Sequence, residues 1–113
     1  MHELSIALNL IELVEEEARK AGCLKVFSVD VAVGLLSGID PEALIFSITL
    51  AKENSLLSDA VIHLHRIEGS GRCRSCNNIF PVNAFHSTCP ECKSNAVELI
   101  AGDDLKLISL EAE

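Results

Sequence analysis

Arg72-Cys73-Arg74-Ser75-Cys76-Asn77 and, further on, Thr88-Cys89-Pro90-Glu91-Cys92-Lys93 carry two Cys-x2-Cys pairs separated by twelve residues. A Cys-x2-Cys turn sets two thiolates on one side of a tight knuckle. Two such knuckles close a tetrahedron around Zn²⁺, with sulfur at about 2.3 Å from the metal. Four thiolates leave no open coordination position, so Cys73, Cys76, Cys89 and Cys92 are expected to hold a structural zinc. The apolar residues of this stretch are few (Ile79, Phe80, Val82 and Phe85), and it needs the metal to fold. Residues 70–96 carry Arg72, Arg74 and Lys93 against Glu91, which is expected to offset the negative charge of a zinc tetrathiolate. Such knuckles often have Gly after the second Cys. Here those positions are Asn77, which tolerates positive φ, and Lys93, which does so less readily.

Outward from this lobe the pattern changes. Residues 4–21 show helical periodicity, with Leu4, Ala7, Leu8, Ile11, Val14, Ala18 and Ala21 on an apolar face widened by Ile6, Leu10 and Leu13. Glu12, Glu15, Glu16 and Glu17 read as a solvated face, with Glu15–Arg19 and Glu16–Lys20 as i,i+4 pairs and Gly22 as the stop. Residues 25–33 alternate as a strand, with Lys25, Phe27, Val29, Val31 and Val33 on one face and Ser28 and Asp30 on the other. Gly34 to Gly38 form a turn. Asp40 as N-cap and Pro41 at the first helical position open a second helix that runs to about Lys52. Residues 61–67 and about 104–111 read as further strands, and Gly69-Ser70-Gly71 as a turn into the cysteine lobe.

The expected fold is therefore α+β: two helices packed on a roughly three-stranded sheet, with an inserted four-cysteine, zinc-ribbon-like lobe. Residues 1–69 plus 97–113 would form the main domain and residues 70–96 the zinc lobe. The last strand must return to the main sheet, because three strands or helix cover are needed for independent stability.

Composition narrows the function. The chain has 113 residues and a formal net charge of -8, against the basic footprint of a nucleic-acid binder. It also lacks the Trp and Tyr that stack on bases. No apolar run reaches the roughly 20 residues of a membrane span. The N-terminus has no basic start, and Asn9 and Glu12 interrupt its apolar residues, so no signal peptide is expected and the location is read as cytoplasmic. In a reducing compartment, four paired cysteines favour metal over disulfides. A closed tetrathiolate site, without a nucleophile motif or a phosphate loop, speaks against an enzyme. A zinc-ribbon module for nucleic acid is the competing class.

The chain opens Met1-His2-Glu3-Leu4-Ser5. This opening, the stretch Val33-Gly34-Leu35-Leu36-Ser37-Gly38-Ile39-Asp40-Pro41-Glu42-Ala43-Leu44, the two Cys-x2-Cys pairs and the close Ile108-Ser109-Leu110-Glu111-Ala112-Glu113 after Gly102 resemble the HypA/HybF family of hydrogenase nickel-incorporation proteins. The resemblance implies a nickel metallochaperone that carries Ni(II) at its N-terminus as cargo during [NiFe]-hydrogenase maturation, with urease as a further client in some organisms. It implies a HypB-type GTPase and the hydrogenase large-subunit precursor as partners; a homodimer is left open. On the family pattern, nickel is held by the Met1 amine, by the backbone and ring nitrogens of His2 and by the backbone nitrogen of Glu3, with Asp40 as an extra ligand. Nitrogen donors in fused chelate rings suit the tetragonal preference of Ni(II). His63 and His65 share a strand face and resemble a metal pair, but read as half-exposed strand residues. His86 reads as a surface residue near Cys89, or a switch between the two metals, and Cys23 as an idle thiol.

Overall fold

The computed structural model describes residues 2–83 and 87–113. The elements run α1 (Glu3–Lys20), β1 (Val26–Gly34), α2 (Pro41–Ala51), β2 (Val61–Ile67), β3 (Gly69–Cys73), β4 (Ile79–Val82), β5 (Val97–Ala101) and β6 (Leu105–Ala112). Two sheets of three strands form, in the orders β2-β1-β6 and β4-β3-β5. The residues group into two compact units: Met1–Val31, Ile39–His65 and Lys106–Glu113 make one, Ala32–Gly38 and Arg66–Leu105 the other. The expected α+β class is what forms.

In the first unit, α1 ends as the sequence requires. Gly22 has φ +76, the Cys23 N–H donates to Ala18 O at 2.8 Å and the Gly22 N–H to Arg19 O at 2.9 Å. This is a Schellman stop, whose left-handed residue costs glycine nothing. At the head of α2 the Asp40 side chain accepts from the Glu42 and Ala43 N–H groups at 3.0 and 3.4 Å, and Pro41 occupies the first turn.

The buried stripe of α1 differs from the expected one. Ala7, Leu10, Ile11, Val14 and Ala18 are buried together with Glu3, whereas Leu4 and Leu8 are 55% and 51% exposed. Both stripes have helical spacing, and which one turns inward depends on where α2 lies. Arg19 pairs with Glu15 as expected, but Lys20 lies 3.7 Å from Glu17, one turn position nearer than Glu16. Glu15 is more than a solvated acid: its carboxylate accepts the Leu56 N–H at 3.1 Å and ties down the segment after α2.

In β1 the alternation breaks at its start. Val26 is fully buried and Phe27 is 41% exposed, the reverse of the expected phase. The Val26 N–H donates to Leu56 O at 3.0 Å, in the segment after α2. Phe27 is left outside, with the Lys25 ammonium 5.7 Å from its ring centre. From Val29 onward Val29, Val31 and Val33 are buried as expected.

In the second unit Gly69-Ser70-Gly71 is not a turn but the start of β3. These glycines are places of close approach: a Cβ on Gly71 would lie 2.7 Å from Val82 Cγ2 and 2.8 Å from Val97 Cγ1. β3 pairs antiparallel with β4, Gly71 opposite Phe80, and with β5, Arg72 opposite Glu98. The small core holds Cys73, Phe80, Val82 and Cys89, with Leu36, Val97 and Leu99 packed against it. Ile79 is 60% exposed. Phe85 lies outside the described residues.

Candidate metal centres

The two cysteine pairs are built alike. The Asn77 N–H donates to Cys73 O at 2.8 Å and the Cys73 N–H to Asn78 O at 2.9 Å. Sixteen residues on, the Lys93 N–H donates to Cys89 O at 2.9 Å and the Cys89 N–H to Ser94 O at 2.9 Å. Each knuckle closes through a left-handed residue, Asn77 at φ 64 and Lys93 at φ 65. The sequence places a strained conformation at these two positions, and the backbone adopts it at both.

These knuckles bring all four sulfurs within 4.8 Å of one another. Cys73 Sγ lies 3.4 Å from Cys92 Sγ, and Cys76 Sγ 3.6 Å from Cys89 Sγ. A disulfide needs about 2.05 Å. A tetrahedron with sulfur about 2.3 Å from its centre has edges of about 3.8 Å. The donor set therefore fits a tetrahedrally bound metal ion. Cys73 and Cys89 are fully buried; Cys76 and Cys92 are exposed. The first cysteine of each pair receives backbone N–H groups of its own knuckle. Those of Cys92 and then Glu91 bring the Cys89 thiol down to about 6, against its burial. Those of Cys76 and then Ser75 lower Cys73. Cys76 receives the Asn78 N–H, but partial desolvation and the three other sulfurs outweigh this and push it up to about 12.

Two of the three basic residues of the lobe, Arg72 and Arg74, also meet a carboxylate. Arg72 Nε donates to Glu98 Oε1 at 3.0 Å, and Arg74 lies 3.6 Å from the other oxygen. Arg72 and then Arg74 hold the Glu98 carboxyl below its ordinary value. Glu98 sits on β5, outside residues 70–96, and the β3–β5 pairing brings it in.

At the other candidate centre, His2 is the N-cap of α1 and exposed, and its side chain makes no capping hydrogen bond. Its carbonyl accepts the Ile6 N–H at 2.9 Å, so the chain is already helical behind it. Glu3 is buried, 8% exposed, and its Oε2 accepts the Asp40 backbone N–H at 3.2 Å. The first turn of α1 and the cap of α2 therefore meet, which brings Glu3 and Asp40 together with His2 next in the chain. Asp40 Oδ1 is engaged by its own helix cap. The Met1 amine and His86 fall outside the described residues. Cys23 stands apart from the four clustered cysteines, its Sγ 3.9 Å from Ala21 O. No helix among the described residues is long and apolar enough to cross a membrane.

This α+β chain has counterparts among known proteins, and they define its class. Residues 1–112 match the family described as "Hydrogenase/urease nickel incorporation, metallochaperone, hypA", and the chain belongs to that family. It is 43% identical over 110 residues to the hydrogenase maturation factor HypA of Parabacteroides distasonis, covering 97% of this chain and 96% of that protein. It is 35% identical over 113 residues to HypA of Pelodictyon phaeoclathratiforme, covering 100% and 97%. Its fold is similar to the solution structure of the Ni metallochaperone HypA from Helicobacter pylori, with TM-score 0.75, 32% identity, and 99% and 97% of the two chains covered.

Proposed function

We propose that this chain carries Ni(II) at its N-terminus and hands it over during [NiFe]-hydrogenase maturation, with urease as a further client. Nickel is the cargo. Its ligands are the Met1 amine, the backbone and ring nitrogens of His2 and the backbone nitrogen of Glu3, with Asp40 as an added oxygen donor. The observation that carries this reading is the exposed, uncapped His2 at the head of α1, next to a Glu3 whose side chain is anchored on Asp40. The anchor fixes the backbone nitrogen of Glu3 while His2 stays accessible. The N-terminal end of a helix disfavours a cation by about 0.3–1 kcal/mol, which several nitrogen donors offset and which favours release.

The resident ion of the four cysteines is zinc. Nickel(II) favours nitrogen in square-planar or tetragonal geometry, whereas four thiolates in a tetrahedron favour zinc. The zinc staples the second unit, and the first unit carries the cargo. Transfer is ligand exchange without catalytic turnover, in the cytoplasm, between a HypB-type GTPase and the hydrogenase large-subunit precursor; whether the chain works alone or as a homodimer does not alter the site.

The test is a nickel titration of zinc-loaded protein with a native, untagged N-terminus, beside His2→Ala and a variant extended before Met1. Calorimetry gives stoichiometry, and the visible spectrum gives geometry. The expected result is a site in the wild type whose spectrum reports tetragonal nitrogen ligation and which both variants lose while keeping zinc and fold. Equal binding at that site by all three proteins overturns the N-terminal assignment.

A further inference from the structure

His63 and His65 stand two residues apart on β2 and are both exposed. Alternate residues of a strand lie on one face, about 6.6 Å apart along it, so two imidazoles at this spacing can converge on one ion. Spacing alone leaves them as surface residues. The neighbouring strands add a second feature. Asp30, on the central strand β1, has Oδ1 2.7 Å from His65 Nε2, while its Oδ2 accepts the Ser109 hydroxyl of β6 at 3.3 Å. The carboxylate is thus held from both sides, and it fixes the ring of His65 by one nitrogen. With Nε2 on the carboxylate, Nδ1 is the nitrogen of His65 left for another partner.

A carboxylate on the far nitrogen of an imidazole is the arrangement that orients a metal-ligating histidine, sets its tautomer and raises its basicity. We infer that His63 and His65, with Asp30 holding the His65 ring, form a second, open site for a divalent transition-metal ion of the Ni(II) or Zn(II) kind on the exposed face of β2. The ion is held by one ring nitrogen of His63 and by His65 Nδ1, and water fills its remaining positions. Imidazole suits both ions. Among the described residues only the four cysteines already bring three or more ligand atoms into mutual reach. The exposed His63 ring therefore turns to join His65 when the ion binds. Two protein ligands with water around them make a weaker site than the closed tetrathiolate, one from which an ion exchanges. The site shares no ligand with the N-terminus.

The test uses the untagged, zinc-loaded His2→Ala chain, so that it does not depend on N-terminal binding. Nickel chloride and zinc chloride are titrated separately, with calorimetry for both and imidazole nitrogen NMR for zinc. The expected result is one further equivalent of at least one ion, with zinc shifting the His63 and His65 rings. It is abolished in His63→Gln and His65→Gln and weakened about 10–100-fold in Asp30→Asn, with backbone amide spectra elsewhere unchanged. No further equivalent of either ion, or one that survives both glutamine substitutions, overturns the site. Retention of full affinity in Asp30→Asn overturns the role given to the carboxylate. Loss of nickel on replacing His2 in the wild-type background bears on the cargo site alone, so the two ideas fail separately.

Discussion

The side chain of Glu3 accepts a hydrogen bond from the backbone N–H of Asp40 at 3.2 Å, across 37 residues of sequence. It joins the first turn of α1 to the N-cap of α2. Backbone groups at a helix start have no intrahelical partner, so this single contact serves one helix and positions the start of the other.

Replacing Glu3 separates the two roles of that residue. Glu3→Gln keeps an oxygen that can accept from Asp40, and Glu3→Ala keeps none. The melting temperature is expected to fall more for alanine than for glutamine. Nickel stoichiometry by calorimetry is expected to persist in Glu3→Gln, because the backbone nitrogen, not the carboxylate, is the proposed ligand.

Asp40 can be tested in the same way. Asp40→Ala removes the cap of α2 and is expected to cost about 0.5–2 kcal/mol in chemical denaturation. Asp40→Asn caps equally well but loses the charge. Wild-type stability with weakened nickel binding in Asp40→Asn supports Asp40 as a ligand. Unchanged binding reduces it to a cap.

Lys93 holds φ 65 in the second knuckle, where a Cβ is strained, and Asn77 holds φ 64 in the first. Lys93→Gly is expected to relieve about 1 kcal/mol and to slow zinc loss to a chelator. Asn77→Gly is expected to change little, since asparagine adopts this conformation readily. Faster zinc release from Lys93→Gly would assign more weight to the Lys93 ammonium, which donates to Pro90 O at 3.2 Å.

Among the described residues, two of the four buried core residues of the second unit, Cys73 and Cys89, are metal-site cysteines. Stripping the metal under reducing conditions should therefore cost the β4-β3-β5 sheet, while α1 and α2 keep a core of their own. Circular dichroism is expected to lose strand signal and retain helix signal, and zinc is expected to restore the former.

The His65 ring, and after it the Ser109 hydroxyl, hold the Asp30 carboxyl below its ordinary value. A carboxyl lowered in the folded chain adds stability above its unfolded value, and that stability is lost as pH falls toward its folded value. Denaturation at a series of acid pH values is expected to show a steeper loss for wild type than for Asp30→Asn. Loss of zinc from the four cysteines in acid is common to both proteins and cancels in the difference. Parallel profiles would remove Asp30 as a source of the slope.

Much of the architecture was legible because its causes are local. The glycine stop of α1, the Asp40-Pro41 start of α2 and both cysteine knuckles, left-handed residues included, are decided within about six residues of chain. The four-cysteine centre follows from two such turns. What spacing could not reveal was decided by contacts distant in sequence. Leu4 and Leu8 face outward and Glu3 inward because α2 and Asp40 lie where they do. Val26, whose N–H bonds to Leu56 O, takes the buried place expected of Phe27. Gly71, which read as part of a turn, lies in β3, where the side chains of Val82 and Val97 fill the space a Cβ would take. Glu98 takes the arginines, and Asp30 takes His65, through strand pairing alone. A sequence pattern fixes a residue's periodicity and its turn chemistry within its own neighbourhood; its partner across a sheet or on another helix exists only once the chain has closed on itself.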